Sequence, residues 1–107
     1  MREKVKKVLL ECGIPMNQSG FLYILDAMEL FEENGAPITN LKALYRLISN
    51  KRKKKPEHII ENIGYSINFG YANGSRTNWI KYFGLYSVMR SNGNHLAYMW
   101  QKLKEEE

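Results

Sequence analysis

Five consecutive cations are the feature of this sequence that most clearly suggests a chemistry. Positive charges at the entrance of a helix suit a polyanion, because each phosphate that they neutralise releases condensed counterions. The formal net charge of the chain is +5, so this basic run alone equals the excess of positive charge. The run predicts nucleic-acid binding, and the alternative interpretation is a turn that is merely solvated. It precedes Pro56 and consists of Lys51, Arg52, Lys53, Lys54 and Lys55.

Other reactive residue types do not form a recognisable catalytic or metal-binding pattern. His58 and His95 are far apart, and neither has a His or Cys at metal-ligand spacing. Cys12 has no neighbouring His and lies where an apolar helix face ends, which indicates a packed core thiol. The acidic residues show no paired general acid and base, and the glycines form no phosphate-cradling loop. We therefore expect no enzyme, no metal and no cofactor.

Length and composition indicate a single folded domain over residues 1–107. Apolar residues make up 44% of the 107 and charged residues 25%, as in folded rather than disordered chains. No apolar stretch is long enough to cross a bilayer, and the N-terminus is too charged for a secretory signal. One cysteine cannot form an internal disulfide, which fits a reducing compartment. We expect a cytoplasmic protein that does not associate with membranes.

Apolar residues at three- and four-residue steps recur along the chain, whereas strand signals are nearly absent. The pattern predicts an all-α, compact six-helix domain, with a fifth helix over about 78–83. The predicted N-terminal caps are Ser19, Thr39 or Asn40, and Ser91 or Asn92. The predicted C-terminal stops are Gly13, Gly35, Gly74 in a left-handed conformation, and Gly84. The predicted core of the second helix includes Phe21, Leu22, Leu25, Met28 and either Phe31 or Glu32.

The third and fourth predicted helices, about 40–51 and 56–73, are joined by a short connection that contains the basic run. Such a pair is compatible with a helix-turn-helix over about 40–73, whose second helix lies in the major groove. In the fourth helix Ile59, Ile63 and Ile67 should pack inward. The opposite face carries Glu57, His58, Glu61, Gly64, Tyr65 and Asn68.

Short motifs along almost the whole chain resemble a known family. They include Cys12-Gly13-Ile14-Pro15, Gly20-Phe21-Leu22-Tyr23-Ile24, Leu44-Tyr45, Phe83-Gly84 and Lys102-Leu103. In these the chain resembles the C-terminal effector domain of stage 0 sporulation protein A, and the stretch over 44–84 needs no gap. The resemblance implies a six-helix domain with a helix-turn-helix that binds promoter DNA as tandem copies. We therefore expect a bacterial transcription regulator of sporulation whose partner is double-stranded DNA, bound as a homodimer or in tandem.

The sequence departs from the family in the helix that should enter the groove. The family's helix is rich in arginine and carries a histidine, whereas the matching positions here hold His58, Glu61, Gly64 and Tyr65. Arginine reads guanine through a bidentate fork, and neither glycine nor tyrosine can replace it.

The departures leave two interpretations of the predicted groove-facing side. We expect Asn68 and Tyr65 to contact bases or backbone, His58 to face the groove, and Glu61 to exclude most bases. The segment 88–92 is shorter than the family's loop, and we expect a stand-alone member without a receiver domain. The alternative is a protein-interaction module that has lost DNA binding and kept the scaffold.

Overall fold

The computed structural model describes residues 1–85 and 91–107, and these form six α-helices with no β-strand among them. The all-α prediction is confirmed. No helix in the described part of the chain is long and apolar enough to span a bilayer. Of the predicted short loop over 88–92, residues 88–90 lie outside the described residues. The helices are α1 (Arg2–Glu11), α2 (Ser19–Asn34), α3 (Leu41–Arg52), α4 (Pro56–Asn73), α5 (Arg76–Phe83) and α6 (Asn92–Glu105).

The central helix is α2, which packs against α1, α3, α4 and α6. A helix surrounded by neighbours is buried on more than one face. Accordingly Tyr23 and Ile24 are buried in addition to the predicted Phe21, Leu25, Met28 and Phe31, whereas the predicted Leu22 is only half-buried. The sequence pattern of α2 underestimated its burial because the pattern assumes one apolar face.

The predicted inward face of α4 is buried, and α4 packs against α2. Ile59, Ile63 and Ile67 are almost completely buried, and burial of each such side chain stabilises the fold by about 1.5–3 kcal/mol. The two helices approach closely at Gly20, where a Cβ atom would collide with Asn62 and Ser66 of α4. This packing fixes which face of α4 is left for solvent.

Side-chain caps start three of the helices. Asn40 accepts a hydrogen bond from the Ala43 N–H (3.1 Å), and Ser91 accepts one from the Asn94 N–H (3.3 Å), which confirms those two predicted caps. Ser75 caps α5, so this helix begins at Arg76, two residues before the predicted start.

Ser19, by contrast, was predicted as a cap, but it is the first residue of α2, and Gln18 occupies the N-cap position.

The predicted left-handed conformation of Gly74 is wrong. Gly74 has φ −88° and ψ −178°, an extended conformation that any residue can adopt. A Cβ atom at this position would collide with the carbonyl of Cys12, so the missing side chain admits the end of α1. Among described residues, positive φ angles occur at Gly13, Gly35, Gly84 and Lys53.

Candidate nucleic-acid interface

The connection between α3 and α4 is a turn made of lysines. The bounds of the two helices match the predicted 40–51 and 56–73 within one residue. Lys53 ends α3 in the left-handed conformation, with φ 58° and ψ 41°, which redirects the chain. Lys55 is extended and precedes Pro56 at the first position of α4, where a missing N–H removes no helical hydrogen bond.

Backbone hydrogen bonds hold this turn at both ends. The Ser49 carbonyl accepts from the N–H groups of Lys53 and Lys54, the latter at 3.2 Å, and the Ser49 hydroxyl donates to the Lys54 carbonyl. The Lys55 carbonyl accepts from the His58 N–H at 3.0 Å as α4 begins. The path of the backbone is therefore fixed, although the lysine side chains are exposed.

A buried carboxylate of α2 engages the first two cations of the basic run. Asp26 is 1% exposed. Its two oxygens accept from Nε and Nη2 of Arg52, both at 2.7 Å, in the bidentate geometry that makes such pairs strong. Lys51 Nζ lies 3.3 Å from Asp26 Oδ1 and 3.6 Å from Glu29 Oε2. The hydrogen bond to Asp26 raises the pKa of Arg52, which stays charged.

Asp26 was not among the predicted site residues, although the sequence around it indicates a buried carboxylate that needs a partner. It is an acidic residue inside the apolar stretch Tyr23-Ile24-Leu25-Asp26-Ala27-Met28 of a core helix. A charge in such a position must find a partner, because an unpaired buried charge is costly. The pattern cannot tell which cation pairs with it, since Arg52 is 26 residues away.

The basic run therefore has two parts. Lys51 and Arg52 are paired with α2. Lys53, Lys54 and Lys55 are exposed, and none of them has an acidic partner within the described ranges. We call these three residues the lysine turn. Contact of any of the five cations with DNA stays a prediction.

The exposed face of α4 begins directly after the lysine turn. Its residues follow one another at three- and four-residue steps, and Tyr65 is 60% exposed. No Lys or Arg occurs anywhere between residues 56 and 73. We call this face the outward stripe, and it consists of Glu57, Glu61, Tyr65, Asn68 and Ala72.

His58 lies beside the outward stripe instead of within it. Its side chain is half-buried, and its ring meets Tyr23 of α2 edge-on, with centroids 5.7 Å apart. Of the residues predicted to face a groove, the structure therefore brings Glu61, Tyr65 and Asn68 together on one exposed face and sets His58 at the edge.

Gly64, which the sequence analysis placed on the same face, lies under the start of α6. The Asn92 side chain donates to the Ile60 carbonyl at 3.4 Å, and a Cβ atom on Gly64 would lie 3.1 Å from Asn92 Nδ2. Gly64 thus admits the N-terminal end of α6. A side chain at this position would have to displace the Asn92 side chain by a few tenths of an ångström.

The other reactive side chains have structural roles. Cys12 is fully buried, as predicted, and its thiol donates to the Asn78 carbonyl at 3.7 Å. Burial, with a smaller contribution from Glu11, raises the pKa of Cys12 to about 12, so the thiol is neutral and unreactive near pH 7. Within residues 1–85 and 91–107 no three side chains are grouped as metal ligands.

The fold places the chain among small helical domains in which a short turn joins two helices, a class that includes many DNA-binding regulators. The model of one protein family, sporulation initiation factor Spo0A C terminal, matches residues 5–103. The chain belongs to this family, whose members are DNA-binding effector domains of sporulation regulators and not enzymes. The family assignment made from the sequence motifs is confirmed. A search of curated proteins found no match.

Proposed function

We propose that this chain regulates transcription through a helix-turn-helix formed by α3 and α4. In this proposal the lysine turn binds the phosphate backbone while α4 presents its outward stripe to the major groove. The observation that carries the proposal is the Asp26 ion pair. It holds the C-terminal end of α3 on α2, so that three lysines with no acidic partner among the described residues project where α4 begins.

The lysine turn is suited to contacts that do not depend on base sequence. Each ammonium group is a compact charge on a flexible stem, and it neutralises a phosphate without reading a base. Three such contacts would contribute about −2.7 to the slope of log affinity against log salt concentration. Lys51 and Arg52 act as positioning residues in this proposal, because their charges already satisfy Asp26.

We further propose that residues 1–107 act as one domain. The central helix α2 packs against α1 and α6, which come from opposite ends of the chain, and also against α3 and α4. Loss of the packing of α1 or α6 on α2 would therefore disturb the support of α4. Binding as a homodimer or as tandem copies stays a prediction, which the stoichiometry on a long duplex would test.

Two variants of equal charge test the lysine turn. One is Lys54→Ala/Lys55→Ala, and its matched control is Lys4→Ala/Lys7→Ala, which removes two exposed lysines from α1. Fluorescence anisotropy with random duplexes over a series of salt concentrations measures the slope. We expect the first variant to lose about 1.8 units of slope and to weaken binding to all sequences alike. The control should retain the slope of the wild type.

A second candidate function is a protein-interaction module on the same scaffold. The observation that favours it is the outward stripe, which carries two carboxylates and an exposed tyrosine but no cation. Equal salt slopes in the two double variants would remove the lysine turn from the interface. A wild-type chain that binds no duplex even at low salt would favour the interaction module.

A further inference from the structure

We propose that α4 selects sites that contain cytosine and adenine instead of guanine, with Glu61 reading cytosine and Asn68 reading adenine. This inference rests on the proposed function, since it requires α4 to enter the major groove. The helix concerned, α4, is the one in which this chain departs most from its family.

The first step is that α4 cannot read guanine in the usual way. Guanine presents two acceptors, N7 and O6, in the major groove, and Arg or Lys is the side chain that pairs with them. Residues 56–73 contain neither. The cations that flank α4 along the chain lie outside it, in the lysine turn before the helix and at Arg76 after it.

The second step concerns the carboxylate of Glu61. This side chain is exposed near the middle of the outward stripe, and the described residues offer it no cationic partner. A carboxylate only accepts hydrogen bonds, so in a groove it needs a donor to offset its desolvation. Cytosine presents the N4 amino group as a donor, whereas adenine places the N7 acceptor beside its amino group. Cytosine is therefore the base that a fixed carboxylate tolerates best.

The third step distinguishes Asn68 from the other asparagines of α4. The Asn62 amide donates to the His58 carbonyl at 2.8 Å, and the Asn73 amide donates to the Phe69 carbonyl at 3.0 Å. Asn68 is exposed and makes no such bond within the described residues. Its amide is therefore available to donate and accept at once, which is the two-point pairing that adenine N7 and N6 allow.

The spacing of the two residues gives the spacing of the two bases. Glu61 and Asn68 are seven residues apart and lie on one face, so their separation along the helix axis is about 10.5 Å. Successive nucleotides of one strand are about 3.4 Å apart along B-DNA, and a helix in the major groove runs obliquely to the DNA axis, so this distance sets an upper limit of about three base steps between the two bases. Tyr65 lies between them and can donate its hydroxyl to a phosphate.

Selection from a random duplex library tests the inference. We expect the wild type to enrich sites with cytosine and adenine within about three steps of each other and to deplete guanine at both places. At the base that Glu61 contacts, Glu61→Gln should change the ratio of adenine to cytosine by about tenfold in favour of adenine, because glutamine pairs with adenine at two points. Asn68→Ala should lose the adenine preference. Glu33→Gln removes the same charge from an exposed position at the end of α2 and should leave both preferences unchanged.

The outcomes separate the base preference from DNA binding itself. Salt-dependent binding with an unchanged base preference in Glu61→Gln would overturn the inference and leave the proposed function standing. Enrichment of guanine opposite Glu61 in the wild type would do the same. If the wild type binds no duplex at low salt, the proposed function fails, and the inference fails with it. Because Glu61 is exposed, its variant should fold normally, which circular dichroism checks.

Discussion

The first and second parts of the basic run differ in what surrounds them, although their residue types are nearly the same. Lys51 and Arg52 contact a carboxylate that is 1% exposed, whereas Lys53, Lys54 and Lys55 extend into solvent. The cations of the first part are therefore engaged by carboxylates of the protein, although Lys51 is still half exposed, whereas those of the second part have no acidic partner within the described residues. The comparison shows that charges counted in a sequence are not all charges available for recognition.

The difference arises from α2 and not from the basic run itself. Asp26 is carried into the core by the apolar residues around it, and burial of a carboxylate is tolerated only when it is paired and hydrogen-bonded. Arg52 satisfies both oxygens, and Lys51 adds a second contact. This pairing also fixes where α3 ends, so the cations used inside the protein determine the direction of those left outside.

The largest expected effect comes from removing Arg52, the more exposed partner of the ion pair with Asp26. Arg52→Ala leaves the buried Asp26 with only the longer contact to Lys51, and loss of one partner of a buried pair costs about 3 kcal/mol. We expect this decrease in the free energy of unfolding, measured by urea denaturation. On the folded fraction the salt slope of DNA binding should stay close to that of the wild type, because Arg52 contacts no phosphate in this proposal, whereas the affinity should fall, because the lysine turn is positioned less firmly.

The reverse change is the control for this asymmetry. Asp26→Asn leaves two cations, but both are partly exposed and can turn toward water, so the loss should be smaller, about 1–2 kcal/mol. If Arg52→Ala loses salt slope to the same extent as a lysine-turn variant, the division of the run is wrong. Equal losses of stability in the two variants would contradict the role of Asp26 burial.

Local patterns predicted most of the fold, because caps and apolar steps are properties of neighbouring residues. Examples of such local patterns are the helix caps Asn40 and Ser91 and the buried face formed by Ile59, Ile63 and Ile67. The prediction for Gly74 is wrong because a long-range contact determines which residue is needed there. Gly74 is required by the approach of Cys12 and not by its own φ angle, and a lone glycine in a sequence does not distinguish the two reasons.

In the candidate site, too, features set by local sequence patterns were predicted and features set by long-range contacts were not. The lysine turn and the exposure of Glu61, Tyr65 and Asn68 follow from helical periodicity. The pairing of Arg52 with Asp26 and the cover of Gly64 by Asn92 do not, since each joins residues more than 25 positions apart.

An intermediate effect is expected from restoring a cation to the outward stripe. Positions 61 and 64 both match the arginine-rich helix of the family, but the structure separates them, because a side chain at Gly64 would press on Asn92. Glu61→Arg alone removes a repelled charge and adds a phosphate or guanine contact, so we expect affinity for DNA to rise about tenfold at low salt. Anisotropy titrations measure this change.

The control for that variant is Glu33→Arg, which changes the net charge equally at the end of α2. A similar gain in both variants would mean that overall charge, and not the position of α4 in a groove, determines affinity. If Glu61→Arg folds normally and binds no tighter than the wild type, α4 does not enter a groove, and the interaction module becomes the better explanation.

The smallest expected effect is at Lys53, where stability and recognition should change in opposite directions. Lys53 is the only non-glycine residue with a positive φ in the described part of the chain, and this conformation costs a side-chain-bearing residue about 1 kcal/mol. Lys53→Gly removes that cost, but glycine also gains freedom in the unfolded chain, so the net stabilisation should be about 0.5 kcal/mol. The same change removes one cation from the lysine turn, and the salt slope should fall by about 0.9.

Lys54→Gly is the matched control, because it loses the same charge at a residue without a positive φ. It should lose a similar slope and gain no stability in urea denaturation. Equal stabilities of the two variants would show that the left-handed lysine carries no strain in solution.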